Sequence, residues 1–156
     1  MCWQCDHPDA TMDDYLAMLQ DNIDRRGWTG IYVEDDRRPF AYTVGLHQRG
    51  LPELLVTGLG PPAASRLLGQ MADRALAEGV PPPGSRVRAD GVAFLEIVEI
   101  SHPDAHLYMA VNIEGSDITA RQLVWADYHG VLPWDKDFDH ERTIQPVLGV
   151  RAKRCA

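Results

Sequence analysis

Residues 30–57 read Gly30-Ile31-Tyr32-Val33-Glu34-Asp35-Asp36-Arg37-Arg38-Pro39-Phe40-Ala41-Tyr42-Thr43-Val44-Gly45-Leu46-His47-Gln48-Arg49-Gly50-Leu51-Pro52-Glu53-Leu54-Leu55-Val56-Thr57. The fold turns on how this stretch divides. Three β-type runs stand out, at 30–34, 39–46 and 53–57. In the second, Phe40, Tyr42 and Val44 alternate against Ala41 and Thr43, the two-residue period of a strand. Asp35-Asp36-Arg37-Arg38 and His47-Gln48-Arg49-Gly50 are the turns between them. Connections this short leave no room for a crossover helix, so consecutive strands here pair antiparallel.

A helix is expected on either side of this block. Upstream, Thr11 is a capping residue with Asp14 three positions on, and Asp13 and Asp14 suit the positive end of the helix dipole. Met12, Tyr15, Leu16, Leu19 and Ile23 then recur at helical spacing until Gly27 stops the run. Downstream, Pro61-Pro62 opens a second helix with Ala64, Leu67, Leu68, Met71, Ala75 and Leu76 as its buried stripe, ended by Gly79. Residues 92–100 form the most apolar run, a central strand covered on both faces, interrupted by Glu96 and Glu99. A short helix is expected over 104–113. Residues 122–126 and 131–134 read as a hairpin about Asp127-Tyr128-His129-Gly130, with Gly130 left-handed.

Strands outnumber helices, and the first three lack crossovers. The expected fold is therefore α+β, a single domain with a largely antiparallel sheet packed by two main helices. Residues 1–10 are expected to be irregular, 11–150 to form the domain, and 151–156 to be a mobile basic tail.

Composition bounds the function. The chain has 156 residues, 45% hydrophobic and 24% charged, as in soluble globular domains and unlike disordered or fibrous chains. Its net charge of -8 repels phosphate backbones, which disfavours nucleic acid as a partner. No apolar run suits a membrane span, and the start of the chain lacks the basic and apolar regions of a signal peptide. The three cysteines, Cys2, Cys5 and Cys155, are no disulfide framework and fit a reducing cytoplasm.

Three segments, read together, resemble a bacterial family. They are Phe40-Ala41-Tyr42-Thr43-Val44-Gly45-Leu46, then Leu51-Pro52-Glu53-Leu54-Leu55-Val56-Thr57-Gly58-Leu59, and finally Gln122-Leu123-Val124-Trp125-Ala126-Asp127 through Gly130 and Pro133-Trp134-Asp135. The order and content resemble the domain of unknown function 4262 family. The opening from Cys2 to Thr11 resembles an actinobacterial and phage subgroup. Ala126 stands where the family usually has proline, and Val131-Leu132 where it has Arg-Phe. The resemblance implies a single domain and carries no reaction with it.

Several residues bear chemistry. Cys2-x-x-Cys5-x-His7 has the spacing to grip a tetrahedral zinc, with His102 and His106 (one helical turn apart) or Cys155 to complete it. The alternatives are a redox pair, or reduced thiols at a frayed end. His102-Pro103-Asp104-Ala105-His106 is a separate metal candidate, against a plain helix start. Tyr42, Glu53, Trp125, Asp127, His129 and Trp134 supply the aromatic and polar mix of a ligand pocket, although tryptophans on paired strands are commonly core. Glu96 and Glu99 lie three apart and face opposite ways on a regular strand, so they are read as partly exposed residues, not an acid pair; the alternative for Glu96, were it buried, is an acid with a raised pKa. Gly58-Leu59-Gly60-Pro61-Pro62-Ala63 is a plain strand-to-helix turn, since two prolines have no N–H to offer a pyrophosphate. No serine stands in a nucleophile-elbow motif. The expectation is a small cytoplasmic binding or accessory protein, acting through protein contacts or a modest ligand pocket. The alternatives are a zinc-dependent, hydrolytic enzyme and a small-molecule or cofactor binder.

Overall fold

A computed structural model describes residues 3–153. The described elements are helices α1 (Trp3–Asp6), α2 (Met12–Arg26), α3 (Pro61–Glu78) and α4 (Tyr108–Glu114), and strands β1 (Thr29–Val33), β2 (Phe40–Val44), β3 (Glu53–Thr57), β4 (Arg86–Val87), β5 (Leu95–Glu99) and β6 (Ala120–Trp125). They form one α+β domain around a six-stranded sheet of order β1-β2-β3-β6-β5-β4.

The local signals act as their chemistry dictates. The Asp14 N–H donates to Thr11 Oγ1 at 3.2 Å and the Thr11 N–H donates to Asp14 Oδ2 at 2.9 Å, which closes the capping box of α2. Gly27 ends that helix at φ 90°, a conformation that suits glycine. Pro61 and Pro62 occupy the first turn of α3, whose Ala64, Leu67, Leu68, Met71, Ala72 and Ala75 are buried. β1–β2 and β2–β3 pair antiparallel, as their short connections require.

The sheet also holds a pairing that the sequence does not announce. β3 and β6 run parallel, Glu53 opposite Ala120 and Leu55 opposite Gln122. The chain leaves β3 through α3, crosses to the far edge at β4, returns through β5 and α4, and enters β6 between β3 and β5. β6 therefore lies between two partners that run in opposite senses.

Three expectations for the chain's course are corrected. Residues 131–134 form no strand; the chain turns at Asp127, whose N–H reaches Val131 O at 3.0 Å, with Gly130 at φ 80° as expected. The helix expected over 104–113 is split into a 3-10 turn at Pro103–Ala105 and α4. The N-terminal segment contains the single turn α1 rather than wholly irregular chain.

One sheet face packs on α3 through Ala41, Leu54, Val56, Leu95, Ile97 and Leu123. The opposite face has two covers. Over β1–β3, Ile31, Tyr42, Val44 and Leu55 meet α2 and α4. Over β5 and β6, Val98 and Val124 meet Leu132, Trp134 and Val147 from the C-terminal segment.

That segment, 144–151, is a strap sewn to the sheet by buried polar side chains. Gln122 Nε2 donates to Pro146 O at 2.8 Å, and its Oε1 accepts the Leu148 N–H at 2.8 Å. Gln145 exchanges two bonds with the Trp125 backbone, at 2.9 and 3.0 Å. Gly149 bridges Ile100, so close to the sheet that a Cβ there would stand 1.8 Å from the Glu99 carbonyl oxygen. Arg151 then reaches Glu96 with two bonds, at 2.6 and 3.0 Å, while its guanidinium lies 4.2 Å from the Trp134 ring centre.

Two expectations yield here. Arg151 is anchored instead of belonging to a mobile tail, and Glu96 is fully buried, not partly exposed. A buried carboxylate is tolerable because Arg86 and Arg151 both bond it. Burial pushes the Glu96 carboxyl up, and the two guanidiniums outweigh it, leaving the carboxyl below its ordinary range.

Gln122→Ala strands the Pro146 carbonyl and the Leu148 N–H inside the fold. It should cost about 2–3 kcal/mol of stability by chemical denaturation, from the unmet polar groups plus a small void.

Candidate functional site

The parallel strands β3 and β6, at the centre of the sheet, have their carboxyl ends side by side, and a cavity of about 890 Å³ opens there. Leu59, just after β3, and Trp125, the last residue of β6, form its inner wall. Gly91 and Val92 close one side, the Asp127–Val131 turn another, and residues 137–143 a third. In open sheets with parallel strands, the carboxyl ends are where loops diverge and leave space for a ligand.

Each wall has a local cause. Trp125 is 8% exposed and donates its indole Nε1 to Thr57 O at 2.9 Å, tying the ends of β6 and β3 together. Asp127 Oδ1 accepts the N–H groups of His129 at 2.9 Å and Val131 at 3.0 Å. This Asx turn thrusts out Tyr128, which is 87% exposed and lies 4.2 Å from the His129 ring, centre to centre. A second Asx turn at Asp139, bonded to the Glu141 and Arg142 N–H groups at 3.1 Å, shapes the far wall.

Of the pocket residues expected from sequence, Trp125, Asp127 and His129 line this one cavity. Tyr42 and Trp134 do not. The Tyr42 ring is buried beneath α4, where its hydroxyl accepts the Met109 N–H at 2.9 Å, and burial pushes that hydroxyl up to about 12. Trp134 packs under Arg151, away from the cavity. Sequence reasoning missed Tyr128, Phe138 and Arg142, all on the cavity wall. For Tyr128 there was a signal: an aromatic at the tip of a predicted turn cannot reach the core.

The metal candidates are dispersed. Cys2 and Cys155 lie outside the described residues. Cys5 is exposed, and His7 stacks on Trp3 at 4.4 Å with Nδ1 2.9 Å from the Trp3 carbonyl oxygen. The common helical face expected for His102 and His106 does not form, because they flank a 3-10 turn, before and after it. Among the described residues no three His, Cys, Asp or Glu side chains come together in a group able to hold a metal ion.

The family model described as a domain of unknown function, DUF4262, matches residues 22–139. The chain belongs to the DUF4262 family. No curated protein and no solved structure matches the chain. The DUF4262 match spans all six strands and reaches Asp139 on the cavity wall. The N-terminal Cys-x-x-Cys segment, Arg142, Thr143 and the strap lie outside it.

Within the DUF4262 match, at the opposite end of β3, stands a second unusual site. Glu53 is fully buried and accepts three bonds: from the Thr43 hydroxyl at 2.6 Å, the Gly45 N–H at 2.9 Å and the His47 N–H at 3.0 Å. It joins β2, the following 3-10 turn and β3, which is a structural role for the Glu of the Pro-Glu-Leu segment. Glu114, at the end of α4, brings a second carboxyl toward it, and both of its oxygens are buried without a well-formed hydrogen bond. Burial first, then the Glu53 carboxylate, pushes the Glu114 carboxyl up to about 9, against the opposing pull of the Gly45 N–H. Nothing in the sequence signalled this pair, because Glu114 lies far from Glu53 along the chain.

Unfolded, Glu114 ionises near its ordinary 4.5; folded, it keeps its proton to about 9. The native state binds the extra proton across that window, so this contribution to stability falls as pH rises through it. Glu114→Gln removes the dependence. Its stability relative to the unchanged protein should grow between pH 5.5 and 8.5, by roughly 1 kcal/mol after solvent screening. Denaturant midpoints at the two pH values check this; a constant difference would contradict it.

Proposed function

We propose that this DUF4262 protein is a small-molecule-binding protein whose ligand sits in the cavity where β3 and β6 end. The observation that carries the reading is the cavity itself. Its volume of about 890 Å³ falls in the range of about 300–1,000 Å³ usual for ligand sites. Aromatic, acidic and basic side chains converge on it from separate elements: Trp125, Tyr128 and Phe138 with Asp127, His129 and Arg142. Two Asx turns and the Trp125–Thr57 bond shape its walls. Three cysteines near the chain ends suit a reducing, cytoplasmic setting. Among the described residues no helix is long and apolar enough to cross a membrane.

The reading favours binding over catalysis. Oδ1 of Asp127 and of Asp139 is taken by turn N–H groups, and among the described residues no hydrogen bond couples a hydroxyl on the cavity wall to a base there.

The test is a fragment screen by amide chemical-shift mapping, beside a variant that fills the space. Hits should shift amides of 125–143 together. Thr143→Trp projects a large ring from the cavity wall and should abolish those shifts while leaving the melting temperature of the ligand-free protein nearly unchanged. Hits that map elsewhere, or that survive Thr143→Trp unaltered, would overturn the assignment.

A further inference from the structure

We propose that the cavity takes an organic cation, an amine carried on an apolar or aromatic body; this rests on the cavity being the ligand site and adds the chemical class of the ligand. Three carboxylates line the cavity, Asp127, Asp137 and Asp139, against one guanidinium, Arg142. Each Asx turn consumes only the Oδ1 atom of its aspartate. Oδ2 of Asp127 and Oδ2 of Asp139 stay outside those turns, and Asp137 makes no side-chain hydrogen bond or ion pair among the described residues. The cleft thus presents acceptor oxygens that the fold itself leaves unspent.

The aromatic lining fits the same class. Tyr128 is a large ring held 87% exposed at the cavity rim, a placement that no core requirement explains. Ring faces attract cations, and the attraction grows as water is excluded. An anionic ligand would meet three carboxylates in a chain whose net charge is already -8, whereas a cation is drawn in by both the local and the overall field. Arg142 sets the polarity of the site: the ammonium goes toward the aspartates, away from the guanidinium.

A matched pair of probes separates the charge from the ring. Tryptamine and indole-3-propionate carry one indole with opposite charges. Titrations followed by amide shifts should show tryptamine binding at 125–143, and indole-3-propionate roughly tenfold weaker or absent. Asp137→Asn and Tyr128→Ala alter exposed side chains that the fold does not use, and each should weaken tryptamine several-fold without moving the melting temperature. Raising the salt concentration should weaken it further. If indole-3-propionate binds the cavity as well as tryptamine or better, the cation assignment fails and the ligand-site reading survives. If tryptamine binds but neither variant weakens it, the assignment to these residues fails. If neither probe shifts 125–143 at millimolar concentration and the fragment screen is also blank there, both readings fall.

Discussion

The side chain of Gln122 is the hinge-pin of this molecule. It is fully buried in the middle of β6, between a parallel and an antiparallel neighbour, and its amide faces the C-terminal strap. A glutamine there is costly unless each polar atom is met. It is met on both sides: Nε2 gives hydrogens to Pro146 O and Thr57 Oγ1, and Oε1 takes the Leu148 N–H. The outcome is directional in a way that leucine packing is not. Only one register of the strap satisfies the amide, and that register sets Gln145 against Trp125 and Arg151 against Glu96. The walls of the cavity inherit this order, because the 137–143 wall runs straight into the strap.

Electrostatics divides the sheet into two buried carboxylate sites with opposite solutions. Glu96 is ionised and clasped by two guanidiniums, each about a third exposed, so the charge is shared with solvent at the rim. Glu53 spends its oxygens on N–H and O–H donors, and the neighbouring Glu114 takes the other solution by keeping its proton. Neither site opens on the cavity. Their work is to fix strand ends and the strap, and the binding chemistry is left to the loops.

Much of the fold was legible because it is local. The alternation at 40–44, the capping box at Thr11 and the prolines at 61 and 62 act over a few residues and decide their elements alone. The parallel β3–β6 pairing was not legible, since it depends on which strand fills the slot beside β3 after a long excursion. Glu96 was misjudged for a related reason: its partners Arg86 and Arg151 sit on a two-residue strand and in a segment read as tail. At the candidate site, Trp125, Asp127 and His129 were legible because one turn gathers them. Tyr42 and Trp134 shared the composition of a pocket, but they face other parts of the core. Tyr128, Phe138 and Arg142 converge only in three dimensions.

The strap beyond the family match is part of the cooperative core and carries the cavity with it. Native-state hydrogen exchange at the Leu148 and Trp125 amides tests this most directly, since both are bonded to the glutamine side chains that stitch strap to sheet. Both should exchange only through global unfolding, with the same free energy as the β5–β6 ladder amides. A Leu148 amide that exchanges as fast as the amides of 152–153 would contradict it.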